Sequence, residues 1–481
     1  MIYLTIISLY LIVLIGIGVV KSRKIKSQSD FALAGRSLTP WILVGTMLAT
    51  WIGTGSILGN AGKTYEIGMA ALMLPLGSIL GIALLTRIAG KVRNVNKFTV
   101  PEIIGDRYGS IARNLSVFAL VSAYMVIVSY QYNAGGAVIY TVFSNQIQSP
   151  LFTIETATII AAIFIISYTM LAGLLSVAFT DAANGILMTV SLIIAFPILW
   201  IKAGGLNGMQ IAFEALDKSS NMQFFSVFST FDIINFCLPP FLLVLGDANM
   251  YQRFSASKNH QSATKATIIL IFVVLIIELL IIASSWVASS LIVDDEVGKY
   301  ILIYAAYDLL PAFLGAMMLA TIVGIIISTA DSFLLIPANT LIKDIYLTYI
   351  NRNVSEKKIV RLSRILVLIL GIIAYVVSIG FSKSAGFFER ALYAYTIYGV
   401  SITPTLLAAL FWKKSTKEGA VSSILSGIII TFLWKDFPIL WEWLLGEHYR
   451  SLDEVLPAIL VSSFVLFIVS IFTQKKESAI K

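Results

Sequence analysis

The sequence predicts an all-α polytopic membrane protein with about thirteen transmembrane helices. Of its 481 residues, 58% are apolar and 12% are charged, and this charged share is about half that of a soluble domain. The apolar residues form continuous runs of the length that a membrane helix needs, without the alternation of barrel strands. These runs cover 2–20, 39–61, 67–90, 112–142, 153–172, 175–201, 230–250, 266–289, 309–340, 362–381, 390–412, 418–436 and 455–473.

The composition argues against several classes of protein. One cysteine, Cys237, excludes an internal disulfide and a cysteine-based zinc site, and two histidines argue against a His-rich metal or haem site. No nucleophile–base pair or metal cluster is visible, so we do not expect an enzyme. We assign the net charge of +8 to basic loops on one side of a membrane and expect no nucleic acid partner.

The loop charges predict the orientation in the membrane. The first run has no basic region before it and no small-residue cleavage site after it, so we expect a retained helix. If the N-terminus is outside, the cytoplasmic loops hold 26 of the 34 basic residues, Arg253 among them, as the positive-inside rule requires. An odd number of helices then puts the C-terminus in the cytoplasm. We expect a multi-pass protein of the cell (plasma) membrane, with the lipid bilayer as its surroundings.

Two apolar runs are interrupted at corresponding places. Run two contains Gly53 and Gly55 among three hydroxyl residues, and run seven contains Pro239–Pro240 followed by Gly246–Asn249. Interrupted helices at matching positions of two halves indicate a transporter binding site. The alternative is that these residues only allow close packing or kinks.

The spacing of the two breaks predicts an inverted repeat. The starts of the two units, at runs two and seven, are offset by five runs, and an odd offset turns the second unit upside down relative to the first. The predicted organisation is a single transmembrane domain over 1–481, with repeats at about 39–201 and 230–412 and peripheral helices at 2–20, 418–436 and 455–473.

Backbone and hydroxyl oxygens indicate a cation site between runs two and nine. A hard cation such as sodium takes several oxygen ligands, and backbone carbonyls serve where a helix unwinds. Residues three apart share a helix face, so the carbonyl of Ile325 and the hydroxyl of Ser328 in run nine point to one neighbourhood, which Thr329 joins. The alternative for the hydroxyls is bonding to the carbonyl four residues earlier. The predicted ligands are Ala49, Ile52, Ile325, Ser328 and Thr329.

Three acidic residues in the apolar runs are further candidates. An acid inside a membrane is costly and is therefore a functional candidate. Asp331 lies one turn from Ser328 and would help to hold a cation, whereas Asp181 lies close enough to the interface to be merely solvated. Asp247 would either bind a substrate amine or cap the next half-helix.

The solute is expected near mid-membrane, between the two breaks. Trp51 offers an aromatic face that would hold a quaternary amine by cation–π attraction. Gln131 and Asn133 are polar enough to join the site, with helix–helix hydrogen bonding as the alternative. The predicted solute-binding residues are Thr50, Trp51, Thr54, Ser56, Gln131, Asn133, Asp247 and Asn249.

Four motifs, in order, resemble those of the sodium:solute symporter family. They are DFALAGRSL at 30–38, AGLLSVAFTDAAN at 172–184, YQRFSASKN at 251–259 and FWKKSTKEGA at 411–420. The resemblance implies a leucine-transporter-type core of five plus five helices and coupling to sodium. It implies the same five ligands for the main sodium, and in some members a second sodium, here at Asp181, Asp331 and Ser332.

The departures from the family pattern bear on the solute. Asn184 stands where the family has Gln. Trp51 replaces an Asp or Asn of many members and looks closer to the choline-transporter branch, while Pro75 stands where sugar-carrying members have a Glu. The resemblance therefore implies sodium-driven uptake of a small organic solute, such as an amino acid, a quaternary amine or a carboxylate. A sodium-independent channel or a solute sensor on the same scaffold is the alternative.

Overall fold

The computed structural model describes residues 2–22, 27–95, 97–144, 150–171, 173–225, 227–381, 386–446 and 451–477, and these residues are predominantly helical. The helices of the first half are α1 (Ile2–Ser22), α2 (Gln28–Leu33), α3 (Pro40–Trp51), α4 (Ala61–Ile67), α5 (Leu76–Val95), α6 (Val100–Tyr108), α7 (Ser110–Phe143), α8 (Ile154–Leu171) and α9 (Leu174–Lys202). A π-helical segment, Gly55–Asn60, lies between α3 and α4.

The second half continues the helical pattern. Its helices are α10 (Gly205–Ala215), α11 (Thr230–Gly246), α12 (Ala248–Ala256), α13 (His260–Ser289), α14 (Asp295–Gly298), α15 (Ile301–Tyr304), α16 (Ala312–Thr340), α17 (Glu356–Phe381), α18 (Phe387–Phe411), α19 (Lys417–Asp436), α20 (Pro438–Leu445) and α21 (Val455–Glu477). The all-α fold class is therefore confirmed.

The predicted count of thirteen membrane helices is not confirmed. Within the described residues, ten helices are long and apolar enough to cross a membrane, or eleven when the bent pair Pro40–Trp51 and Gly55–Met73 counts as one span. The run at 2–20 forms α1, of which Ile2–Ile17 is described as the apolar part. The run at 67–90 became α5, whose last three turns carry Arg87, Lys91 and Arg93.

The packing of the helices repeats between the two halves. Helix α3 packs on α9 as α11 packs on α18, and α5 packs on α11 as α13 packs on α3. Helix α7 contacts α8 and α18, and α16 correspondingly contacts α17 and α9. These matching contacts relate the helices of the first repeat to those of the second in order: α3, α5, α7, α8 and α9 correspond to α11, α13, α16, α17 and α18. The equivalent helices α7 and α16 also pack directly on each other. Five helices thus correspond to five helices, as the spacing of the interrupted runs predicts.

The first break lies where α3 ends. The amide of Ile52 still donates to the carbonyl of Leu48 at 2.8 Å, but ψ of Ile52 is 89°, which ends the helix. The ladder resumes when the amides of Ser56 and Ile57 donate to the carbonyl of Gly53 at 3.1 and 3.0 Å. The chain bends by 52° between the two parts. A Cβ atom at Gly53 would lie 2.9 Å from the side chain of Thr329, so glycine allows α16 to approach the break.

The second break separates α11 from α12 at Asp247. This residue has φ −58° and ψ 115°, and its carboxylate accepts from the amide of Asn249 at 3.1 Å as an N-cap. The hydroxyl of Tyr398 on α18 donates to the carbonyl of Gly246 at 2.8 Å and accepts from the amide of Ala248 at 3.1 Å. One side chain therefore satisfies backbone groups on both sides of this break.

We expect Gly77→Ala to lower the thermal stability strongly. A Cβ atom at Gly77 would lie 1.9 Å from the backbone carbonyl oxygen of Cys237, so α5 and α11 would have to separate. Overpacking of this kind costs about 1–3 kcal/mol or more. The apparent melting temperature of the detergent-solubilised protein measures the loss. Gly380→Ala is the matched control, because nothing lies within 4 Å of a Cβ atom there. Equal melting temperatures for the two variants would contradict the close packing of α5 on α11.

Candidate functional site

Two adjacent hydroxyls of α16 meet the end of α3 and the start of α9. Thr329 donates its hydroxyl to the carbonyl oxygen of Ala49 at 3.2 Å. Ser328 donates to a carboxylate oxygen of Asp181. Both hydroxyls are buried, and because successive residues of a helix are rotated by about 100°, the two adjacent hydroxyls reach different partners. The structure therefore gathers three of the sequence-predicted oxygen groups with a carboxylate beside them.

The other two predicted ligands lie on the same elements. Ile52 is the residue at which α3 ends, and Ile325 lies one turn before Ser328 on α16. Both residues are fully buried. The broken end of α3 and the mid-portion of α16 thus adjoin through the contact between Ala49 and Thr329.

Asp181 is buried rather than solvated at the interface. It lies on α9 with no exposed surface. One carboxylate oxygen accepts from Ser328, and the other accepts from Thr46 at 2.5 Å and lies 3.4 Å from a guanidinium nitrogen of Arg253. The interfacial alternative for this acid is therefore wrong, because partners from three other helices surround it.

Arg253 belongs to the protein interior, although the loop-charge argument counted it among the cytoplasmic cations. Its side chain is 1% exposed. Nε donates to the hydroxyl of Thr46 at 3.0 Å, and Nη2 donates to the hydroxyl of Ser332 at 2.8 Å. Nη1 donates to the carbonyl of Asn249 at 3.3 Å. Its position in the sequence could have indicated this burial, because Arg253 follows the break at Asp247 by only about a turn and a half of helix.

Asp331 faces a different helix from Asp181. Its carboxylate accepts a hydrogen bond from the hydroxyl of Thr169 on α8. Ser332, the next residue, is instead bound by Arg253. Of the three residues suggested for a second sodium, Asp181 and Ser332 are thus joined through a guanidinium, while Asp331 bonds elsewhere.

Several predicted solute residues surround a small cavity at the first break. Its lining includes Thr50, Trp51 and Gln131, together with Thr329 and Tyr395. The rings of Trp51 and Tyr395 stack with centroids 6.3 Å apart. The cavity volume is about 10 Å³, room for about one water molecule. Solute binding here would therefore require the lining helices to move apart.

The hydroxyl groups of this region have defined partners. Thr54 donates to the side-chain oxygen of Gln131, which joins the break to α7. Thr50 donates to the carbonyl of Thr46 at 2.7 Å, the bonding four residues back that competes with a ligand role. Ser56 donates to Glu278 at 2.6 Å.

Three further predicted solute residues bond elsewhere. Asp247 accepts from the hydroxyl of Tyr124 at 2.5 Å, and Asn249 donates to the same hydroxyl at 3.2 Å. Asn133 accepts from Arg390 at 3.2 Å. None of the three lines the cavities beside Trp51.

Glu278 is a buried acid that the sequence reasoning missed. It lies on α13, 2% exposed, and accepts from Ser56 at 2.6 Å and from Asn60 at 3.0 Å. Together with Trp51 and Tyr395 it lines a second cavity of about 30 Å³. An acid within the long apolar run at 266–289 was the signal that could have identified it.

Comparison with known proteins identifies the family. The model of the sodium:solute symporter family matches residues 31–427. The chain belongs to this family. The sodium/proline symporter of Haemophilus influenzae is 26% identical over 98% of this chain and 95% of its own, and that of Escherichia coli is 22% identical over 98% and 93%.

Solved structures share the fold. A sodium-coupled sialic acid symporter in its substrate-bound outward-open state superposes with a TM-score of 0.78 at 16% identity, covering 99% of this chain and 97% of that one. The transporter MhsT in complex with L-phenylalanine gives a TM-score of 0.57 at 14% identity, covering 90% and 98%. These likenesses confirm the leucine-transporter-type architecture.

The family establishes the activity class. This sodium:solute symporter is a secondary active transporter that couples sodium flow to the uptake of a small organic solute, and it is not an enzyme. The channel or sensor alternative is not favoured.

We expect Arg253→Gln to destabilise the protein by about 3–5 kcal/mol, because it leaves the buried Asp181 without its cation. The double variant Arg253→Gln with Asp181→Asn should recover part of this loss, since no unpaired charge remains. Thermal or denaturant unfolding of the purified protein measures both effects. Arg361→Gln, at an exposed position of α17, serves as the control. If the double variant loses as much unfolding free energy as the two single variants lose together, the two charges are not coupled.

Proposed function

We propose that sodium binds at the junction of α3 and α16, with oxygens of Ala49, Ile52, Ile325, Ser328 and Thr329 as ligands. The observation that carries the proposal is the contact of Thr329 with the carbonyl of Ala49 at 3.2 Å, across the helix break. Carbonyl and hydroxyl oxygens are the donors that a hard cation prefers. Asp181, bonded to Ser328, adds a negative charge beside the site without being one of the five ligands.

The contacts give less support to a second sodium at Asp181, Asp331 and Ser332. The guanidinium of Arg253 joins Asp181 to Ser332 and so provides a tethered positive charge there. Asp331 bonds to Thr169 on α8 instead. Because this guanidinium already contacts two of the three residues, we propose one sodium per solute.

We propose that the solute occupies the space beside Trp51 and Tyr395, between the two helix breaks. Polar Gln131 and the two stacked aromatic rings would orient a small solute there. An amino acid such as proline has support from the sodium/proline symporters among the relatives. Pro75, where sugar-carrying members have a Glu, lines the adjoining cavity and so supports the argument against a sugar.

We place the protein in the plasma membrane, with the N-terminus outside and the C-terminus in the cytoplasm. The uneven distribution of basic residues supports this orientation. Large apolar side chains on outer helices support a surface covered by lipid, since exposed apolar area of this kind is unusual in water. Examples with 61–65% exposure are Ile12, Ile163, Val376 and Phe464.

We expect Ser328→Ala and Thr329→Ala each to weaken sodium dependence about tenfold or more, with little effect on folding. Each change removes one oxygen from a small cation site, whereas alanine suits a helix. Solute uptake into proteoliposomes as a function of sodium concentration measures the effect, with a Hill coefficient near one in the wild type.

Thr321→Ala is the matched control for these two variants. It removes a buried hydroxyl of the same helix that bonds only to the carbonyl of Met318, at 2.8 Å. Unchanged sodium dependence in both Ser328→Ala and Thr329→Ala would remove these residues from the coupling site.

We expect Trp51→Ala to reduce solute affinity by about 1–2 kcal/mol, or roughly tenfold, because the aromatic face that contacts the solute is lost. Solute-induced thermal stabilisation, measured with sodium present, reports the affinity. Trp41→Ala is the control, since Trp41 begins the same helix and is 72% exposed. Equal affinities for these two variants would exclude Trp51 from the solute site.

A further inference from the structure

Glu278 is a carboxylate in the apolar interior without a basic partner among the described residues. It lies on α13, eleven residues before the end of that helix, and it is buried. Its two recorded hydrogen bonds come from uncharged donors, Ser56 and Asn60. An ionised carboxylate has acceptor capacity for about four hydrogen bonds. Glu278 therefore keeps acceptor capacity, and no basic side chain among the described residues forms an ion pair with it.

Aromatic rings surround the cavity that Glu278 lines. Trp51, Phe236, Phe388 and Tyr395 all contribute to its wall, which is drawn from α3, α5, α11, α13, α18 and the π-helical segment. These elements come from both repeats. The cavity adjoins the proposed solute space, because Trp51 and Tyr395 line both.

A lysine beside two of these aromatic rings is already engaged. The ammonium of Lys63 lies 5.7 Å from the ring centre of Phe236 and 5.9 Å from that of Phe388. It pairs with Glu66 at 2.7 Å, and no ion pair with Glu278 is recorded in the described part of the chain. The positive charge that would balance Glu278 is therefore expected from outside the protein.

We propose that Glu278 is the counter-ion for a positively charged ammonium group of the transported solute. A carboxylate supplies the charge and the hydrogen-bond acceptors, and aromatic faces attract a desolvated cation. The inference rests on the proposed solute site beside Trp51 and narrows its solute class. Solutes with an ammonium group, such as amino acids or quaternary amines, bind, and solutes with only a carboxylate do not.

A comparison of matched solutes tests this on the wild-type protein. Thermal stabilisation is measured with sodium present for L-proline, choline, tetrahydro-2-furoate and pyruvate. Tetrahydro-2-furoate has the proline ring with oxygen in place of the ammonium nitrogen. We expect stabilisation by L-proline or choline and at least tenfold weaker binding of the two carboxylates. Binding of neither ammonium probe, or equal binding of tetrahydro-2-furoate and L-proline, would overturn the inference.

Glu278→Gln separates the role of the charge from that of the shape. Gln keeps the size and can still bond to Ser56 and Asn60, but it cannot neutralise an ammonium group. We expect at least tenfold weaker binding of the ammonium probe, with stabilisation by sodium alone unchanged. Glu389→Gln is the control, because this carboxylate on the same cavity's helix α18 is half-exposed and lies 3.9 Å from Lys63.

The outcomes distinguish this inference from the proposed coupling site. Unchanged probe affinity in Glu278→Gln overturns the counter-ion role, even where Ser328→Ala still weakens sodium dependence. Loss of sodium stabilisation in Glu278→Gln also overturns it, because it would make Glu278 part of an inorganic cation site. Should Glu278→Gln fail to fold, the wild-type comparison of L-proline with tetrahydro-2-furoate decides alone.

Discussion

The guanidinium of Arg253 holds together four helices that belong to both repeats. It bonds to Thr46 on α3 and Ser332 on α16, and it pairs with Asp181 on α9 while its own helix α12 follows the second break. A buried charge is tolerated only when its partners are in place, so these four helices must keep their mutual positions. The geometry of the hydroxyl pair on α16 depends on this constraint, since Ser328 bonds to the same carboxylate.

Asp181 consequently serves two neighbours at once. Ser328 and Thr46 bond to its two oxygens, and the guanidinium lies on the Thr46 side. A cation bound at Ser328 would compete with Arg253 for the negative charge of Asp181. In such an arrangement, ion binding would weaken the hold of α12 on α9 and so connect occupancy at the α3–α16 junction with packing on one side of the breaks. The contacts thus provide a short physical route from an ion to a helix rearrangement.

Local sequence rules predicted much of the fold and part of the site. Gly53 and Gly246–Asn249 predicted both breaks because helix breakers in a membrane need a local reason, and helical periodicity put Ile325 and Ser328 on one face of run nine. The partners across helices were not predictable in this way. Arg253 looked like a loop cation because it follows an apolar run, and Asp331 meets Thr169 only through the placement of α8. The sequence marks Glu278 as an acid within an apolar run, but periodicity does not say which face of α13 borders a cavity.

The hydroxyl of Tyr398 restrains the angle between the two half-helices at the second break. It bonds to backbone groups on both sides of Asp247, so a side chain of α18 supplies hydrogen bonds that the interrupted helix lacks. The two half-helices, α11 and α12, therefore do not change their relative orientation freely. A change of the angle between α11 and α12 must either lengthen the hydrogen bonds of Tyr398 or move α18 as well. Helix α18 also bears Tyr395, which lines the proposed solute cavity. Where α18 moves along, bending of the chain also reshapes the cavity wall.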